Sequence, residues 1–158
     1  MLRRHRTGGG WFDGLSQAIC GSCCGCVGLG DLDSDDGLDA WVANTDSQPN
    51  RVWINAASSN IDARSQPVGL PICLGVALGD LDGDGDLDAW VANSNSQPNR
   101  VWINDGLGNL EDSSHALSNS SSGDVALADL AGDGDLDAWV ANSSTANHRS
   151  IIQAGGYA

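Results

Sequence analysis

The sequence contains no lysine, a single glutamate (Glu111), and only one each of methionine, phenylalanine and tyrosine. Seven arginines stand against 21 acidic residues, giving a formal net charge of −14. So few cations leave no basic face for nucleic acid and no cluster to hold the chain on anionic lipid. Without lysine there is no Schiff-base chemistry, and Glu111 has no evident partner for acid–base work. No Ser/His/Asp arrangement or phosphate-cradling loop is recognisable, so no enzymatic activity is expected. No apolar run approaches the roughly 18 residues of a membrane span. Arg3, Arg4, His5 and Arg6 resemble the charged start of a signal peptide, but no apolar segment follows, and residues 1–10 read as a disordered tail. No segment places apolar residues at helical spacing, so almost no helix is expected.

What the chain has in excess is aspartate, with 20 residues against the lone glutamate. Ordinary surface acidity mixes the two. A preference for the shorter carboxylate points to tight turns or compact metal loops. Fourteen of the aspartates fall in three short segments: five in 31–39, five in 80–88 and four in 129–137. Glycine (21 residues) marks dense turns, and six of the eight aromatics are tryptophan.

These segments belong to a repeat. Asp31-Leu-Asp-Ser-Asp-Asp-Gly-Leu-Asp39 recurs 49 residues later as Asp80-Leu-Asp-Gly-Asp-Gly-Asp-Leu-Asp88, and again as Asp129-Leu-Ala-Gly-Asp-Gly-Asp-Leu-Asp137. Segments 31–55 and 80–104 are identical at 20 of 25 positions. Each unit reads as four short strands. One (75–79) enters the acidic loop and one (87–93) leaves it. Ser-Gln-Pro-Asn (96–99) turns the chain into a third (100–104), and a weaker fourth begins at Leu110, with counterparts at Ile61 and Phe12. Four strands per roughly 40–50 residues is the pattern of a β-propeller blade. The expected fold class is all-β, with three four-stranded units near 11–59, 60–108 and 109–158. Trp41, Trp90, Trp139, Trp53 and Trp102 are expected to pack between units. Three units are fewer than the 4–8 of a closed propeller, so the expectation is a partial propeller, or a ring completed by oligomerisation or strand exchange.

The stretches Gly75-Val-Ala-Leu-Gly-Asp-Leu-Asp-Gly-Asp-Gly-Asp-Leu-Asp-Ala-Trp-Val-Ala-Asn93 and Pro98-Asn-Arg-Val-Trp-Ile-Asn-Asp-Gly106 resemble the FG-GAP/VCBS repeats, the integrin-α-like propeller repeats common in secreted bacterial proteins. The resemblance implies blades that bind calcium in the loop between their first two strands. It also implies an extracellular or cell-surface module for binding or adhesion, with a protein or glycan partner that the sequence does not specify. A self-assembling scaffold is the alternative, and a propeller-type lyase or hydrolase is a weaker third.

Calcium takes roughly 6–8 oxygen ligands, and alternate carboxylates in a D-x-D-x-D loop can point inward to supply them. In the second loop the expected ligands are the side chains of Asp80, Asp82, Asp84 and Asp88, with the carbonyl of Asp86. The first loop offers Asp31, Asp33, Asp35 and Asp39, but its Asp36-Gly37 inverts Gly85-Asp86. The third keeps Asp129, Asp133 and Asp137, with Asp135 in the place of Asp86, while Ala131 removes one ligand and predicts a weaker site. An EF-hand is excluded, since its bidentate glutamate would fall at Val91.

Cys20, Cys23, Cys24 and Cys26 cluster ahead of the first loop, with Cys73 one repeat after Cys24. Disulfides (among them a Cys73 bridge between adjacent units), inert thiols and a metal site all stay open for them.

Overall fold

The computed structural model describes residues 24–44, 49–55, 61–68, 73–117, 121–143 and 148–150. The expected tail over 1–10, the strand at Phe12, Cys20 and Cys23 lie outside them. Among the described residues there is no helix, hence none long and apolar enough to cross a membrane.

Eleven strands follow in order: β1 (Cys24–Gly30), β2 (Asp39–Asn44), β3 (Asn50–Asn55), β4 (Ile61–Val68), β5 (Cys73–Gly79), β6 (Asp88–Asn93), β7 (Arg100–Asn104), β8 (Leu110–Asp112), β9 (Ser122–Ala128), β10 (Asp137–Asn142) and β11 (His148–Ser150). They form three antiparallel sheets, β1-β2-β3-β4, β5-β6-β7-β8 and β11-β10-β9. Each sheet begins with the strand that leads into its acidic loop. The register repeats too: Gly30 pairs with Asp39, Gly79 with Asp88 and Ala128 with Asp137. A register shift recurs at the far end of all three pairs, at Cys24/Cys26, Cys73/Gly75 and Ala141/Asn142.

The turn after the second strand is held by asparagine. Asn93 donates its backbone N–H to Asn99 Oδ1 (2.9 Å) and its side chain to the Pro98 carbonyl (2.8 Å). Asn44 does the same with Asn50 and Pro49 at 3.0 and 2.7 Å. A buried amide that replaces a ladder bond fixes where the strand ends.

Side chains alternate across a strand, so each sheet has two faces to bury. Strand β6 is buried along its whole length, as expected for a strand covered on both sides. Leu32, Trp41 and Val52 of the first sheet and its loop share a core with Ala89 and Val91 of the second, flanked by Val76, Leu78 and Leu87. The Trp41 and Trp102 rings meet across this interface at 6.1 Å and 57°. One repeat on, Leu81, Trp90 and Val101 pack in the same way against Val125, Ala138 and Val140. Close approach of the first strands requires Gly75, because a Cβ there would lie 2.8 Å from the Asp124 Cα.

Trp41, Trp90 and Trp102 therefore pack between sheets, whereas Trp53 belongs to neither core, and exposure at the Trp41 position of the repeat reports whether a neighbour is present. Trp41 and Trp90 are 0% exposed, whereas Trp139, which no described sheet covers, is 49% exposed. The buried indole nitrogens of Trp41 and Trp90 have no hydrogen-bond acceptor, which fits packing rather than polar recognition. Truncating a fully buried tryptophan removes a large contact area. Trp90→Ala is expected to lower stability by about 3–5 kcal/mol and Trp139→Ala by about 1 kcal/mol, read from urea midpoints.

Candidate metal centre

The three acidic loops share one backbone scaffold. In each, the opening aspartate accepts N–H bonds from across the turn. Asp80 accepts from Gly83 (2.7 Å) and Gly85 (3.1 Å), Asp31 from Asp35 (3.2 Å) and Asp36 (2.9 Å), and Asp129 from Gly132 (2.6 Å) and Gly134 (3.1 Å). The curl needs two residues at positive φ. They are Gly83 (84°) and Gly85 (97°) in the second loop, and Gly132 (75°) and Gly134 (96°) in the third. The first loop makes the same curl with Ser34 (59°) and Asp36 (66°). Left-handed backbone costs a non-glycine residue about 1–2 kcal/mol, least for aspartate and asparagine. The inversion of Asp36-Gly37 thus leaves the scaffold intact, under strain.

The closing aspartate does a different job. Asp88 is buried and accepts the N–H of Leu81 at one oxygen and that of Asn104 at the other, both at 2.8 Å. Asp39 repeats this with Leu32 (2.7 Å) and Asn55 (2.8 Å), and Asp137 accepts from Leu130 at 3.0 Å. Each closing carboxylate fastens its loop to the sheet. Sequence reading assigned these residues only as ligands. The clue to the second role was that each lies one residue before the Ala-Trp-Val-Ala-Asn strand, where a polar side chain is buried.

Carboxylates converge in two of the loops. Asp31, Asp33 and Asp39 form one group and Asp80, Asp82 and Asp88 the other, each offering oxygens within 4.8 Å of one another. Ligands on opposite sides of a calcium ion with bonds of about 2.3–2.6 Å are separated by about twice that length, so the spacing fits such an ion. Asp35 and Asp84 lie in the same loops but outside these groups, where each accepts an N–H two residues on, from Gly37 and Asp86. Asp86 turns its carboxylate to the turn at Gly106 and accepts the Ser34 hydroxyl at 3.4 Å. In the third loop Asp129, Asp133 and Asp135 sit on the same curl, but Ala131 leaves no third carboxylate beside Asp129 and Asp137. No group of three forms there among the described residues. Cysteines contribute to neither group.

Burial and crowding raise the affinity of the second site for protons. Burial pushes the Asp88 carboxyl up to about 6, helped by Asp82 and Asp84 and opposed by its two N–H donors. Asp82 is also raised, chiefly by burial. An acid whose folded pKa exceeds its unfolded value of 3.8 holds more protons folded than unfolded. Its contribution to stability therefore falls as pH rises through that interval, and the full penalty remains above it. Without metal, the thermal midpoint is expected to drop between about pH 4 and pH 6. Asp88→Asn is expected to lose that part of the slope. It is also destabilised at every pH by about 1–3 kcal/mol, because its amide N–H₂ meets a backbone N–H. Calorimetric melts across pH in a chelator check both outcomes.

The comparison with known proteins bears on this geometry. No curated protein matches the chain. Residues 80–140, from the opening of the second loop through strands β6 to β9 and the third loop into strand β10, match the family model of the FG-GAP-like repeat. The match over residues 80–140 is to the family that the 49-residue unit resembles.

Proposed function

We propose that this chain is a calcium-binding repeat module of β-propeller type, which works outside the cell by binding or adhesion and uses its ions structurally. The observation that supports this most directly is the pair of equivalent carboxylate groups, Asp31/Asp33/Asp39 and Asp80/Asp82/Asp88. Their all-oxygen chemistry suits a hard cation. Each carboxylate oxygen that accepts an N–H keeps a second lone pair for the ion. Magnesium is disfavoured because it needs stricter octahedral geometry. Extracellular modules of this kind bind calcium at about 10⁻⁴–10⁻³ M. The protein or glycan partner would engage loops at the sheet ends, and no catalytic role is assigned.

Titration of metal-free protein with calcium is expected to show two principal sites by calorimetry, with a third weaker or absent. At ten times Kd each site adds about 1.4 kcal/mol, so the two together raise the thermal midpoint by roughly 5–10 °C. Asp82→Ala removes one site. A flat titration at millimolar calcium overturns the assignment.

A second reading, self-assembly, is favoured by the two uncovered faces. Val27, Leu29 and Leu38 are 59–67% exposed on the first sheet, whereas their repeats Val76, Leu78 and Leu87 pack against a neighbour. Leu130 and Trp139 are exposed on the third, where Leu81 and Trp90 are buried. The two faces are the two halves of the interface already used twice within the chain. Two copies docked head to tail would bring six sheets together, within the 4–8 of known propellers. Sedimentation velocity with calcium is expected to show a dimer that Leu29→Asp and Trp139→Asp each dissociate. A monomer at about 100 μM excludes this reading.

A further inference from the structure

We propose that Cys26 and Cys73 are a dithiol–disulfide pair that can join the first sheet to the second by a covalent bond. The two residues come from different repeats. Cys26 lies on β1 just past its register shift, and Cys73 opens β5. Their sulfurs are 3.2 Å apart, both as free thiols. A disulfide requires them to close by about 1 Å. The strands carrying them already pack side by side, and Cys73 belongs to the core that unites the two sheets.

The pair is a local feature of one interface, not a property of the repeat. One period later Gly75 stands in the place of Cys26 and Ser122 in the place of Cys73. The interface between the second and third sheets thus has no thiol at the equivalent positions.

The two thiols are unequal in a way that sets the order of events. Cys73 is fully buried and Cys26 half-buried, so an external oxidant reaches Cys26. The Cys73 thiol can donate to the Cys26 sulfur and to the Gly75 carbonyl at 3.3 Å. That contact lowers the Cys26 pKa, against burial and the Asp124 charge, while the same contact and burial raise that of Cys73. With a low-molecular-weight disulfide as oxidant, the Cys26 thiolate attacks one of its sulfurs and releases one small thiolate. Cys73 then loses its proton to that thiolate or to water and attacks Cys26 Sγ, expelling the second. Two protein thiols are oxidised, and one small disulfide is reduced to two thiols.

The test uses the whole chain. It is equilibrated with oxidised glutathione, trapped with iodoacetamide, digested without reduction and mapped by mass spectrometry. The expected product is a peptide pair linked through Cys26 and Cys73. The closed loop is long (the residues are 47 apart), so reduction is expected to lower the thermal midpoint by roughly 5–15 °C. Cys73→Ser is expected to abolish that shift, and the triple change Cys20→Ser, Cys23→Ser, Cys24→Ser to preserve it. Recovery of Cys26 and Cys73 as alkylated thiols after oxidation, or linked to other cysteines, overturns the proposal. So does a redox shift that survives in Cys73→Ser. Mapping of the unmodified chain decides the matter even if that variant fails to fold.

Discussion

One buried carboxylate per unit holds the described structure in register. Asp88 takes the Leu81 N–H with one oxygen and the Asn104 N–H with the other, and so joins the acidic loop, the strand leaving it and the strand beyond. Asp39 repeats this arrangement for the first sheet. A buried carboxylate is tolerated only when its lone pairs are engaged. Two well-aligned backbone donors meet that condition whether or not an ion is near. The closing aspartate is thus part of the fold in its own right, and an ion bound beside it would meet a carboxylate already fixed in place.

From this anchor the order spreads sideways. Asn104, held by Asp88, sends its side-chain amide across the interface to the Leu32 carbonyl at 2.9 Å and to the Leu87 carbonyl at 3.1 Å. Leu32 is itself the residue whose N–H is held by Asp39. The first and second loops are therefore linked through one asparagine, with Ser34 and Asp86 as a second contact between them. Beneath these polar links Leu32, Trp41 and Trp102 fill the space between sheets. Loop geometry and sheet packing are set by the same residues, so a cation bound in one loop would also stiffen its neighbour's interface.

Much of this was legible in the sequence because the repeat states it three times. Strand order, the position of the loop between the first two strands, the turn at Ser-Gln-Pro-Asn and the use of tryptophan between sheets all follow from alternation and turn residues. The positive φ needed at Asp36 was also readable, since it aligns with a glycine. Three features were not. A sequence motif treats Asp82 and Asp84 alike, so nothing separated Asp84, which accepts the Asp86 N–H, from Asp82, which joins Asp80 and Asp88. The dual bond of Asp88 depends on Asn104, 16 residues away, and is set by the sheet. Nor did aligning Cys73 with Cys24 show that its sulfur lies 3.2 Å from that of Cys26, in the core shared by the first two sheets.

The net charge of −14 takes on a different meaning in this geometry. Five carboxylates in one nine-residue loop repel one another, and the pKa values of Asp82 and Asp88 are raised chiefly by burial, with that crowding adding to it. The fold partly offsets the repulsion with backbone N–H groups, which is why the opening aspartates accept two or more of them. The third loop shows both conditions failing together. It lacks one carboxylate at Ala131, and its Leu130 is exposed where Leu32 and Leu81 are buried. A loop with fewer ligands and no neighbour to pack on has less need of an ion and less to hold it in shape. Carboxylate convergence and stacking thus weaken together in the third unit, as expected when the same short segments carry both.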